Sequence, residues 1–225
     1  MSKLLPIAEL IKGLLEKEFD EQAGYILECK KDWLRNIPVD DIYSEFWVEI
    51  SDVYKSLIDN KWSLDEIIDN KSNSLQYRKA KMDIWFDHPY NFICEFDEKQ
   101  HFNQYRLVTL EEGYDNLEIA FDYNQYIALC KNSKSKPGTS GFDKLKSKDI
   151  LFPEMLLGEK QDNRTRQRAF RDYLKDIVPV RLGNNPTVRI SYMITNGRIK
   201  DFIEEDLENV RRYLYSINFF SKIRL

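Results

Sequence analysis

Residues 81–97 carry two short apolar runs, KMDIWF and NFICEFD, on either side of Asp87-His88-Pro89-Tyr90. No other feature constrains the fold as tightly, because strand side chains alternate between two faces and both runs separate apolar from acidic positions. In the first run Met82, Ile84 and Phe86 point one way and Asp83 the other; in the second, Phe92, Cys94 and Phe96 share a face opposite Glu95 and Asp97. A turn centred on Pro89 sets Phe86 opposite Phe92 and Asp83 opposite Glu95. Like charges facing each other across a strand pair are destabilising unless something positive lies between them. A hard divalent cation supplies that charge. Mg²⁺, with Mn²⁺ as a substitute, takes oxygen ligands from one or two carboxylates and completes its shell with water and phosphate. Such a site suits phosphodiester hydrolysis, with Lys99 placed to hold a phosphate oxygen. The plainer reading is an amphipathic hairpin that exposes its acids to water.

The rest of the chain alternates helix and strand signals. Residues 3–18 place Leu4, Ile7, Leu10, Ile11, Leu14 and Leu15 at helical spacing, and residues 41–58 repeat the pattern with Ile42, Phe46, Ile50, Val53, Tyr54 and Leu57. Residues 71–77 are polar and break the period. Residues 131–148, KNSKSKPGTSGFDKLKSK, hold six lysines and one acid and read as a loop through their Pro-Gly and Ser-Gly steps. From Asp162 the string DNRTRQRAFRDYLKDI is a strong helix signal, with Asp162 or Asn163 as N-cap and Pro179 close after its end. Residues 187–195 read as a strand and residues 201–217 as a final helix. The expected architecture is α/β, a mixed central sheet flanked by helices. It divides into an N-terminal helical region over 1–70, a core over 71–200 with an insertion at about 107–161, and a C-terminal helix over 201–225.

Composition narrows the function classes. With 34 Lys and Arg against 38 Asp and Glu in 225 residues, the formal charge is −4, so any surface for nucleic acid must be local. Two basic patches qualify: the 131–148 tract, with Lys134, Lys136, Lys144 and Lys146, and the arginines of the 162–177 helix, where Arg164, Arg168 and Arg171 fall on one side. A solvated helix face and a solvated loop are the bland alternatives. Cys29, Cys94 and Cys130 are odd in number and form no CxxC pair, which argues for free thiols. No apolar run approaches the ~18 residues of a membrane span and the N-terminal stretch turns acidic, so the expectation is a cytoplasmic protein without a membrane anchor. No Gly-rich phosphate loop occurs.

Residues 81–106, KMDIWFDHPYNFICEFDEKQHFNQYR, resemble the PD-(D/E)XK nuclease superfamily, in which an Asp opens one strand and a D/E-x-K segment lies on the next. Glu95-Phe96-Asp97 followed by Gln100-His101 is similar to the signature of the branch related to very-short-patch-repair endonucleases, which continues with an Arg-Asp helix and a V-L-R-x strand. Arg171-Asp172-Tyr173-Leu174 and Val188-Arg189-Ile190 stand here in that order. The chain departs from the pattern at Met82, where the family has Pro, and at Glu98, where it has Gly. Two frames compete: Glu95-x-Asp97 with the lysine replaced or migrated, or Asp97-x-Lys99 with Glu95 as an additional acid.

The resemblance implies a restriction-endonuclease-like core and a Mg²⁺-dependent endonuclease cutting double-stranded DNA. Asp83, Glu95 and Asp97 would hold the metal, Lys99 and His101 would assist the chemistry, and Gln100 would contact DNA. A further acid would come from Glu45 or Glu49. The long insertion favours a sequence-specific, type II restriction enzyme, and cleavage of both strands favours a homodimer. A repair or mobile-element nuclease, an inactive nucleic-acid-binding module of the same fold, and a protein-interaction domain with an incidental acidic hairpin are the rival expectations.

Overall fold

The structure is a computed structural model and describes residues 3–38, 40–71, 78–133, 149–153 and 162–225. It is an α/β fold whose mixed four-stranded sheet has the order β1-β4-β5-β6. These strands are β1 (Tyr25–Leu27), β4 (Ile84–Phe86), β5 (Phe92–Asp97) and β6 (Val188–Ser191). A second, two-stranded sheet pairs β2 (Lys30–Arg35) with β3 (Lys79–Lys81). The β1–β4 and β4–β5 pairs are antiparallel and β5–β6 is parallel. The hairpin has the register set by a turn at Pro89, with Phe86 opposite Phe92 and Ile84 opposite Cys94.

The expected run over 81–86 is not one strand. Residues 79–81 pair with β2, residues 84–86 join the main sheet, and Met82 and Asp83 form the step between them. The step is held by backbone bonds from Met82 N to Cys29 O (2.9 Å) and from Glu28 N to Asp83 O (2.8 Å). The N-terminal region therefore contributes two strands to the fold as well as helices. At three residues, β1 is too short for its alternation to show in the sequence.

Helices cover both faces. On one lie α1 (Leu5–Phe19) and α8 (Glu204–Ser216), packed on Ile84, Phe86, Phe92, Cys94, Phe96, Val188 and Ile190. On the other, α3 (Trp47–Leu57), α5 (Gln104–Gly113), α6 (Tyr123–Lys131) and α7 (Asn163–Arg181) pack over Trp85 and Ile93. Two shorter helices, α2 (Asp40–Tyr43) and α4 (Leu64–Lys71), flank α3. The helix expected over 41–58 is broken by a 3₁₀ turn at Ser44–Phe46. Pro179 lies in the last turn of α7 rather than beyond it. The strand expected over 187–195 ends at Ser191 in a series of turns. The stretch expected to be an insertion supplies α5 and α6. Of these, α5 packs against α3 and α7, and the buried Arg106 comes from it. The three cysteines are free and buried. Among the described residues no helix is long and apolar enough to cross a membrane.

Because α7 crosses the face of β5 that carries Glu95 and Asp97, that face is not solvated. Glu95 is 2% and Asp97 1% exposed. Burying ionised carboxylates requires hydrogen-bonded or charged partners, and these partners define the site.

Candidate active site

Asp83 and Glu95 are interlocked. Glu95 Oε1 accepts the backbone N–H of Asp83 at 3.0 Å, and Asp83 Oδ2 accepts the backbone N–H of Phe96 at 3.0 Å. The break between β3 and β4 makes this exchange available, because the step frees the Asp83 N–H from ladder pairing. The second Glu95 oxygen receives the Lys175 ammonium from α7. Burial is the main cause that pushes the Glu95 carboxyl up to about 7, against the opposing pull of Lys175. The other Asp83 oxygen takes no hydrogen bond among the described residues, and Asp83 is half-buried.

Asp97 lies two residues further along the same face in a different environment. Arg189, from β6, places Nη1 at 2.8 Å from both of its oxygens. The Tyr126 hydroxyl donates to Oδ2 at 2.8 Å, and His101 Nδ1 lies 3.4 Å from Oδ1. Of the about four acceptor positions of a carboxylate, three on Asp97 are filled by hydrogen bonds from Arg189 and Tyr126. Arg189 also donates through Nε to Asp176 Oδ1 at 2.7 Å and through Nη2 to the backbone carbonyl of Asp172 at 2.8 Å. Arg106 donates to the other Asp176 oxygen at 2.8 Å. Burial would raise the Asp97 carboxyl, but Arg189 and His101 outweigh it and hold it low.

His101 joins this buried network to the open cleft. Its Nδ1 pairs with Asp172 Oδ2 at 2.8 Å. Burial alone would lower the imidazole pKa; Asp172 and Asp97 outweigh it and raise it, while Asp172 is held far below the carboxylate range. Asp97, His101 and Asp172 offer ligand atoms within 4.8 Å of one another, a spacing compatible with a metal. The Arg189 guanidinium, bonded to Asp97 and to the Asp172 carbonyl, already supplies the positive charge there. The Asp83–Glu95 pair fits a hard cation better. It offers an open oxygen on Asp83 beside the buried Glu95 carboxyl, the oxygen-donor chemistry of Mg²⁺.

The pair sits in a cleft of about 850 Å³ whose lining, among the described residues, carries nine lysines and arginines against four acids. For a chain of net charge −4 this is a concentrated cationic surface. Gln100, His101, Arg164, Arg168 and Arg171 line it with Asp83 and Glu95, as does Lys175. Lys99 is exposed on the turn Lys99–His101 and is not among the lining residues. Asn103 ties that turn to α5: its Nδ2 donates to the Gln100 and His101 carbonyls at 3.3 and 3.4 Å, and its Oδ1 caps the helix by accepting from Tyr105 N and Arg106 N at 2.9 and 3.0 Å. Glu45 and Glu49 are exposed and line no part of the cleft, and Glu49 pairs with Arg181 at 2.7 Å. Lys134, Lys136, Lys144 and Lys146 lie outside the described residues.

Sequence reading missed Lys175. The signal that finds it is the helical repeat, since 164, 168, 171 and 175 continue one face of α7.

Residues 64–203 match the model of a family described as a family of unknown function, DUF7255. The chain belongs to this family. The DUF7255 match spans Asp83, Glu95, His101, Asp172 and Lys175 and the arginines of α7, and leaves α1, β1, β2 and α8 outside it. No curated protein and no solved structure matches the chain.

Proposed function

We propose that this DUF7255 protein is a Mg²⁺-dependent nuclease that hydrolyses phosphodiester bonds of DNA. The observation that carries the reading is the Asp83–Glu95 carboxylate pair, bonded across adjoining chain segments with Lys175 on Glu95, inside a cleft rimmed by lysine and arginine. In this reading Asp83 and Glu95 hold the cation, which neutralises charge developing on the phosphate and lowers the pKa of the attacking water. Lys175 supplies, from a helix, the cation that the D/E-x-K pattern places two residues after the second acid. In this chain that position is Asp97, which serves as counter-ion to Arg189.

Two carboxylates face His101 and raise its pKa above that of a free imidazole, which favours the protonated ring. Lining the same cleft, it is the residue to protonate the departing oxygen. Two-fold pairing of chains on a palindrome suits a sequence-specific, restriction-type enzyme.

The test is incubation of the purified protein, and of Asp83→Ala, with mixed-sequence duplex DNA in Mg²⁺, Mn²⁺ or EDTA. Discrete fragments from the unaltered protein alone, dependent on metal, support a sequence-specific endonuclease. A smear keeps the nuclease and removes the specificity. Intact DNA under every metal and salt condition overturns the reading.

A further inference from the structure

Between residues 163 and 179 of α7 every position is buried except four: Arg164, Arg168, Arg171 and Lys175. All four are cationic, all four line the cleft, and Lys175 is the one that touches Glu95. We infer that Arg164, Arg168 and Arg171 form a phosphate track for one nucleic-acid strand, leading away from the Asp83–Glu95 carboxylates along α7. This rests on the nuclease reading for what happens at the end of the track, though not for the track itself.

The spacing fits. At ~1.5 Å of rise per residue, the four side chains leave the helix over roughly 16 Å, in steps of about 4.5 to 6 Å. Phosphates on a stacked strand advance ~3.4 Å each, and long arginine stems bridge the difference, so the three guanidiniums reach about three phosphates. Planar guanidinium forks match phosphate oxygens and stay charged when half-buried.

Electrostatics points the same way. Burial lowers the Arg164 pKa, and repulsion from Arg168 and Arg171 lowers it further. Burial also lowers that of Arg171, whose Nε is buried without a hydrogen-bond partner among the described residues although its Nη2 reaches Asp149 at 2.7 Å. Like charges gathered on one stripe, with a buried donor left over, are relieved by an anion. On the opposite wall Lys79 and Lys81 pair with Asp32 and Glu28, each at 2.6 Å.

The experiment measures binding of a fluorescent, mixed-sequence single-stranded DNA 12-mer in EDTA across a salt series, by anisotropy. Proteins are the unaltered chain, Arg164→Ala/Arg168→Ala, and Arg211→Ala/Arg212→Ala, which removes equal charge from exposed positions on α8. Removing two phosphate contacts should flatten the log–log salt slope by about 1.4, at ~0.7 per contact, and weaken binding at least tenfold at low salt. The α8 variant should match the unaltered chain. An unchanged slope in the α7 variant, an equal drop in the α8 variant, or no binding by the unaltered chain overturns the track. Should the α7 alanine variant melt early, Arg164→Gln/Arg168→Gln replaces it with the same expected slope. Normal binding and slopes without cleavage in any metal leave the track standing and remove the nuclease. Cleavage by the unaltered chain together with an unaffected salt slope does the reverse.

Discussion

Glu95 Oε1 accepts the backbone N–H of Asp83 at 3.0 Å, so the two carboxylates are positioned by the same break in the chain between β3 and β4. Substituting either should act on metal binding before it acts on folding. If the proposed nuclease site is right, Asp83→Ala and Glu95→Gln are expected to lower Mg²⁺-dependent hydrolysis by more than about 100-fold, since each would remove a ligand of the proposed cation. Circular dichroism of Glu95→Gln should stay unchanged, because a glutamine oxygen still accepts the Asp83 N–H. Hydrolysis at unaltered rates by either variant would move the metal elsewhere.

The Glu95 carboxyl, raised to about 7 by burial, should couple metal binding to pH. Below that value a proton must leave before the cation binds, so calorimetric Mg²⁺ affinity should climb about tenfold per pH unit up to 7 and level off above it. The same shift has a sign for stability. The folded chain holds this proton more tightly than an unfolded one does, so without metal the Glu95 contribution is complete below about 4.5 and is lost as pH rises through about 7. Glu95→Gln should remove both dependences. An affinity flat from pH 5.5 to 8 would contradict the assignment.

Arg189 is fully buried and serves Asp97, Asp176 and the Asp172 carbonyl together. Arg189→Met should cost about 3–5 kcal/mol in urea unfolding, because it strands buried carboxylates without their counter-charge. Arg212→Ala, which breaks an exposed pair with Glu208, should change stability by less than about 1 kcal/mol. Similar values for the two would show that the buried network relaxes or admits water.

Two helical glycines should respond in opposite directions. A Cβ on Gly113 would meet Tyr173 Cε2 at 2.5 Å and Val53 Cγ2 at 2.8 Å, where α5 packs against α7 and α3. Gly113→Ala is therefore expected to destabilise by about 1–3 kcal/mol through overpacking. Gly13, within α1, has nothing within 4 Å of that position, and Gly13→Ala should stabilise by about 0.5–1 kcal/mol. Paired thermal melts decide both.

The hairpin, its register, and the sorting of Phe92, Cys94 and Phe96 from Glu95 and Asp97 were all legible in the sequence, because strand alternation and a two-stranded turn are local properties. So were the α7 stripe and the helical character of 3–18 and 201–217, which follow from a 3.6-residue period. The strands β1 and β2 were not, being short runs whose pairing partners lie more than forty residues away. The different fates of Glu95 and Asp97 belong to the tertiary structure alone. Alternation puts both on one face, but only the parallel pairing of β6, which sets Arg189 opposite Glu95 and turns its guanidinium onto Asp97, neutralises one. The crossing of α7 then brings Lys175 to the other. Charge compensation depends on which distant segments meet, and no local period in a sequence records that.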